Sequence, residues 1–294
     1  MPGNATDRPR VVTQPAQYSP PSPAAVAFST MLSIERHGPD VVRLQMSTAA
    51  GRAAGYGVSA YVTRGVLIDT GCPALGDALG RSLRELRPRG VLLTHAHEDH
   101  AGNVDRVIAL QLPLGASADT LAQVARPGPV GRYRQWVWGK PRPVPEVMRV
   151  DAFEDSALRL IHTPGHSSDH HVVWDEERAT VFAGDLYLGA RVREVRPEED
   201  PRALAASLRK VLALAPETMY CAHRGPVPDP IPALVRKAEW LAEMMGRMES
   251  LIRAGWSDRA VTREVFGAER AANYVSGGDL SRRNFVRAVR RGVE

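Results

Sequence analysis

Six consecutive residues, His95-Ala96-His97-Glu98-Asp99-His100, place three imidazoles and two carboxylates directly after the apolar run Val91-Leu92-Leu93. Neutral imidazole and carboxylate are ligands that divalent transition metals take, and the His-x-His-x-Asp-His spacing is rarely met by chance. A solvated polar turn is the alternative reading. Asp69, His166, Asp185 and His223 stand at or shortly after the C-terminal ends of other apolar runs. Taken singly, such residues are more often structural. A polar group at a strand end loses hydration unless it gains partners, and a shared metal centre supplies partners to all of them at once. His95, His97, His100, His166 and His223 with Asp99 and Asp185 are enough for two four-coordinate ions that share a bridging carboxylate and a bridging water.

The elements that would position these groups follow from periodicity. Residues 31–48 read as a hairpin turning at Gly38-Pro39-Asp40, and 57–69 as a second one turning at Arg64-Gly65. Leu75, Leu79, Leu83 and Leu86 have helical spacing, and 89–93 is a short buried strand that leads into the His-rich loop. Helices are expected over 102–110, 118–125 and 201–213, and strands over 158–162, 171–174, 179–183 and 218–221. Residues 126–147, with five prolines and Tyr133, Trp136 and Trp138, break the pattern and read as a structureless segment, either a lid or binding loop or a loop whose aromatics pack on the core edge. A long amphipathic helix over 231–254 follows, with Ser257 and Ser281 placed to cap two more. Met244, Met245 and Met248 fall on its core face.

The 294 residues suit one large domain with an extension, and no apolar run approaches the ~18 residues of a membrane span. Residues 1–28 form a polar, Pro-rich leader without an apolar signal core and are expected to be disordered. The two cysteines, Cys72 and Cys221, are no disulfide framework and fit a reducing cytoplasm; Cys221 reads as a small buried hydrophobe. The net charge of +5 is mostly the last fourteen residues, where five arginines face one glutamate. That argues against a broad nucleic-acid footprint, and the basic tail reads as a solvated helix face.

The loop at 95–100, Thr163-Pro164-Gly165-His166, Phe182-Ala183-Gly184-Asp185 and His223-Arg224-Gly225, preceded by Asp69-Thr70-Gly71, resemble in order and rough spacing the motifs of the metallo-β-lactamase superfamily over about residues 31–226. The resemblance implies an α/β fold, a four-layer αββα sandwich over 29–229, with a C-terminal helical extension over 230–294. It implies one ion held by His95, His97 and His166, a second held by Asp99, His100 and His223, and Asp185 bridging them. Asp69 would orient ligands, and Asp99 would orient the nucleophile and move its proton. Zinc is the default metal, with iron or manganese open.

The implied function is a dinuclear hydrolase that uses a bridging hydroxide to cleave a carboxylic ester, thioester or lactone, as glyoxalase II-like and lactonase-like members do. Phosphodiesterase or nuclease activity, β-lactamase activity and a mononuclear iron, persulfide dioxygenase-like enzyme remain the alternatives. The substrate is expected to be a small molecule, with Tyr187, Arg224, Trp136 and Trp138 as candidate contacts. Arg224 departs from the usual Gly-His-Gly ending, and Ser167-Ser168-Asp169 replaces the small residues often seen after the third motif. His162, His170 and His171 read as supporting or structural. The lid or the C-terminal helices are candidate surfaces for a homodimer.

Overall fold

A computed structural model describes residues 31–293, so the leader inferred over 1–28 lies outside the described residues. The first sheet runs in chain order through β1 (Met31–His37), β2 (Val41–Ser47), β3 (Val58–Thr63), β4 (Val66–Ile68), β5 (Gly90–Leu92) and β6 (Leu114–Gly115). The second contains β7 (Leu158–His162), β8 (His171–Asp175), β9 (Thr180–Phe182), β10 (Thr218–Cys221) and β11 (Gly225–Val227), ordered β11-β10-β9-β8-β7. Helices α1 (Ala49–Ala53), α2 (Gly76–Leu86), α3 (Val104–Ala109), α4 (Ala118–Ala125) and α5 (Arg132–Trp138) accompany the first half of the chain. Helices α6 (Pro201–Leu212), α7 (Pro230–Arg253), α8 (Asp258–Phe266), α9 (Ala271–Val275) and α10 (Arg282–Arg290) accompany the second.

The layering follows from strands buried on both faces, where successive side chains serve different cores. In β3, Val58, Ala60 and Val62 join Leu79 and Leu83 of α2 and Val104 and Val107 of α3 in one cluster. Tyr61, between them, joins Phe182 of β9 and Tyr220 of β10 between the sheets. Beyond the second sheet, Val181 and Met219 pack with Leu208 of α6 and Leu234, Leu241 and Met248 of α7. The order is therefore helix, sheet, sheet, helix.

Aromatic packing, hydrogen bonds and an ion pair tie the sheets together. The Tyr61, Phe182 and Tyr220 rings meet with centroids 5.2–5.5 Å apart, and the Tyr61 hydroxyl donates to the Cys221 carbonyl at 2.7 Å. Away from them, Arg64 donates two bonds to the fully buried Asp175 carboxylate, at 2.7 and 3.0 Å. The parallel pairs β4/β5 and β9/β10 matter most for the site. Their C-terminal ends deliver Asp69, the His-rich loop, Asp185 and His223 to one edge of the sandwich.

Several expectations change. The 126–147 segment is not structureless: Arg132–Trp138 form α5, and Pro145–Arg149 form a 3-10 turn. The helical stretch lies between the prolines, so their density hides it. The methionines of α7 do face the core, where Met244 and Met248 are buried with Met245 packed against them. The arginine tail is not simply a solvated face. Arg282 is buried, with its guanidinium donating to Glu194 and to the Phe266 and Ala268 carbonyls, and Arg290 pairs with Asp258.

Replacing Phe182 with Ala should lower unfolding free energy by about 3–5 kcal/mol, the range for deleting a buried aromatic side chain. Guanidinium titration measures this, and a loss below ~1 kcal/mol would show that the three-ring cluster does not hold the sheets together.

Candidate metal centre

The His-rich loop leaves β5 as a tight turn, with the His100 and Ala101 amides both donating to the His97 carbonyl. That turn aims His95, His97 and His100 inward from one side. Asp69, in left-handed backbone (φ 60°) just after β4, accepts from the Thr94 amide at 2.8 Å and from the Thr94 hydroxyl and His100 Nδ1. Since the Thr94 hydroxyl gives its proton to Asp69, its oxygen accepts from His95 Nδ1 at 3.0 Å. His223 Nδ1 donates to the Gly57 carbonyl at 2.7 Å. These bonds orient the rings of His95, His100 and His223 so that Nε2 points into the site.

The inward atoms converge. His95 Nε2 and His166 Nε2 lie 2.9 and 3.0 Å from His97 Nδ1. Asp185 is 3.3 Å from His100 Nε2 and 3.2 Å from both His166 Nε2 and His223 Nε2. His223 Nε2 is also 3.3 Å from Asp99. Burial pushes the Asp99 and Asp185 carboxyls up, but the adjoining histidines outweigh it and hold both below the ordinary carboxylate range. Burial pulls His95, His97 and His166 down, so they stand neutral; it pulls on His100 and His223 too, but the neighbouring carboxylates Asp185, Asp69 and Asp99 outweigh it and push both above the ordinary imidazole value.

A model of the metallo-beta-lactamase superfamily matches residues 54–223, more than half of the chain. This chain belongs to the metallo-β-lactamase superfamily. Within it, the chain is 31% identical over 204 residues to an atrochrysone carboxyl ACP thioesterase of Paecilomyces divaricatus, covering 67% of this chain and 59% of that protein. It is 32% identical over 139 residues to a hydroxyacylglutathione hydrolase of Hahella chejuensis, covering 46% and 48%. The chain thus spans less than two thirds of the length of either relative. A metallo-beta-lactamase family protein of Thermus thermophilus superposes with a TM-score of 0.56 at 18% identity, over 80% of this chain and 86% of that one, which shows the shared fold.

The donors fit the divalent ions that membership in this superfamily implies. Bonds of ~2.0–2.1 Å at tetrahedral angles put neighbouring donors ~3.3 Å apart, close to the separations seen here. Asp185 Oδ1 and His100 Nε2 are buried with no hydrogen-bond partner. The facing ring nitrogens of His95 and His97 lie 2.9 Å apart, close enough to share one ion. Three sets fall within 4.8 Å: His95, His97 and His166; His95, His100 and Asp185; and Asp99, His100 and His223.

The remaining sequence candidates divide. Trp138 and Arg224 line a cleft of about 750 Å³ that opens over Asp99, His166, Asp185 and His223. The Trp138 ring lies 5.8 Å from that of His223. Trp136 instead points outward, 58% exposed, and does not line the cleft. Tyr187 is buried in the core beneath α7, where the Lys237 amine sits 5.7 Å from its ring centroid, so its hydroxyl does not line the cleft either. Cys221 is buried, its thiol donating to the Tyr187 carbonyl.

Other residues act around the centre. His170, pulled down to about 4 by burial, accepts from the Asp185 amide at 3.0 Å; a side chain at Gly184 would meet its Nε2 at 2.7 Å. Asp169 accepts from the Ala96 amide and from Ser167 and Thr120, stapling the His-rich loop to α4. Glu98, in the motif but outside the donor sets, pairs with Arg134 and so anchors α5. Arg196 Nη1 lies 3.1 Å from His97 Nδ1. Glu199, its carboxyl pushed up to about 7 by burial, is 3.9 Å from His166 Nδ1. Of these, Asp169 lies in a segment that its departure from the motif already flags; Arg196, Glu199 and Lys237 carry no sequence signal.

Removing the Asp69 carboxylate (Asp69→Ala) should weaken divalent-metal affinity ~10–100-fold, measured by chelator competition on folded protein. Unchanged affinity would show that Asp69 does not orient ligands. Burial also pulls the Lys237 amine down to about 8, despite Glu199 nearby. A folded-state value below the ordinary one makes this term least favourable below pH 8 and removes it as pH rises towards 10.5. Lys237→Met should therefore be more stable than the native chain near pH 7, by up to about 3 kcal/mol. Denaturant titrations should show that advantage shrinking between pH 8 and 10.5; a constant difference would contradict the burial account.

Proposed function

We propose that the protein is a dinuclear metal-dependent hydrolase of acyl thioesters. The observation that carries this is the convergence of His95, His97, His166, Asp99, His100 and His223 around the shared carboxylate of Asp185, under an open cleft. A structural zinc site is closed and mononuclear, whereas this one faces a space large enough for substrate. The relatives named as an ACP thioesterase and a hydroxyacylglutathione hydrolase support the thioester among ester-type substrates.

His95, His97 and His166 would hold one ion and Asp99, His100 and His223 the other, with Asp185 between. Zinc suits these nitrogen and oxygen donors. The chemistry that bound ions supply at such a donor set is Lewis acidity, which lowers the pKa of water from ~15.7 towards ~7.

The chain's own residues do the rest. Asp99 lines the cleft and keeps Oδ1 free of protein donors. With Oδ2 on the His223 side, 3.3 Å from Nε2 and left for an ion, Oδ1 is placed to orient the attacking water, hold its proton and pass it to the departing thiolate. Arg196, kept charged by the surrounding carboxylates, sets a fixed cation beside the reacting centre, where negative charge develops on the carbonyl oxygen. Tyr56, Val137 and Trp138 give one wall of the cleft an apolar surface for the acyl group. Arg134, fastened to Glu98, holds that wall in place.

Elemental analysis of purified protein, paired with a screen of acyl thioesters, oxyesters, lactones and bis-p-nitrophenyl phosphate, tests the proposal. Two ions per chain and turnover of thioesters are expected, with kcat falling ~10²–10³-fold in Asp99→Asn. One ion per chain, or phosphodiesters as the sole substrates, would overturn it.

A further inference from the structure

The cleft above the donors is lined by more guanidinium groups than the chain itself neutralises. Arg134 is bound to Glu98, Arg224 donates to the Leu188 carbonyl, and Arg196 sits among carboxylates beside His97. Three more arginines line the same cleft: Arg191 and Arg193 from the segment after Asp185, and Arg270 at the start of α9. All three are exposed, and among the described residues none forms an ion pair or side-chain hydrogen bond. Of the acidic residues that line the cleft, Asp99 and Asp185 belong to the donor sets, Glu194 is bound by Arg282, and Glu199 and Asp279 lie near Arg196.

These cations are not on a loose loop. The Val195 and Ser281 backbones exchange two hydrogen bonds of 3.3 and 3.1 Å, and Asn284 Nδ2 donates to the Val195 carbonyl at 3.1 Å. Arg282 Nε holds Glu194 at 2.9 Å. The C-terminal helices thus fasten the segment that carries Arg191 and Arg193, and they contribute Arg270 themselves. Holding three like charges at one mouth raises their mutual repulsion, which an anionic ligand relieves.

We infer that Arg191, Arg193 and Arg270 form a subsite for a phosphate-bearing thiol, so that the thioester cleaved at the metal centre is carried on a phosphopantetheine arm. The position of the scissile bond rests on the thioester reading above; the anion subsite does not. Guanidinium forks match phosphate oxygens bidentately. A glutathione thioester would bring its own ammonium among the three guanidiniums, whereas a phosphopantetheine arm presents its phosphate with no cation attached. Free coenzyme A and a carrier protein both present the phosphopantetheine phosphate.

Calorimetric titration of the full-length protein with coenzyme A, 4′-phosphopantetheine and glutathione tests this. Kinetics would run alongside, with one acyl group on coenzyme A and on uncharged N-acetylcysteamine. Coenzyme A should bind, more weakly as salt rises. The triple variant Arg191→Gln, Arg193→Gln, Arg270→Gln should lose about a hundredfold in that affinity. The ratio of kcat/KM for the coenzyme A thioester over the N-acetylcysteamine thioester should fall at least ~10-fold in the variant. Phosphopantetheine binding as well as coenzyme A supports the shared phosphate and a carrier protein; tighter binding of coenzyme A supports the free nucleotide. Equal affinity of native and variant chains for coenzyme A, or glutathione binding as tightly, would overturn the inference. If no thioester is hydrolysed while coenzyme A binding still depends on the three arginines, the thioester reading fails and the subsite stands.

Discussion

The structure depends on one buried carboxylate. Asp185 is 4% exposed and lies 3.2–3.3 Å from the Nε2 atoms of His100, His166 and His223, which come from three different loops. A buried, ionised carboxylate is tolerated only when surrounded by cations or donors. The whole edge of the sandwich answers that requirement. Parallel pairing of β9 with β10 and of β4 with β5 brings the loops together. His170 then fixes the Asp185 backbone, and Asp69 fixes Thr94 and His100.

The surrounding layers carry a gradient of tolerance. Next to the donors, each polar side chain has a partner of defined geometry: Asp169 on the Ala96 amide, Glu98 on Arg134 and His223 on the Gly57 carbonyl. Further out, the fit is apolar, and the Tyr61, Phe182 and Tyr220 cluster locks the two sheets. At the cleft mouth, the chain leaves cations without protein partners and fastens them with its C-terminal helices. In the proposed reading, those helices set which thiol the enzyme accepts, while the metal edge sets the reaction.

How much is legible in the sequence depends on whether a residue's role is written locally. The His-rich loop is readable because its donors are adjacent and the spacing is specific. The sandwich is readable because doubly buried strands such as β3 give near-continuous apolar runs, and because the order of motifs resembles a known family. Arg196, Glu199 and Lys237 are illegible because their roles arise only when the segment after Asp185 folds back under α7. Tyr187 misleads because sequence proximity to Asp185 does not say which side of the loop it faces; its ring turns into the core. Helix α5 is masked by flanking prolines, and its tether to Glu98 spans 36 positions. The buried Arg282 looks like part of a basic tail because its partner, Glu194, is 88 positions away.

The decisive measurement is anomalous diffraction from crystals of metal-loaded protein, recorded at the absorption edge of the bound metal. Two peaks are expected flanking the Asp185 carboxylate, one among His95, His97 and His166 and the other among Asp99, His100 and His223. A single peak, or metal bound away from Asp185, would contradict the dinuclear centre.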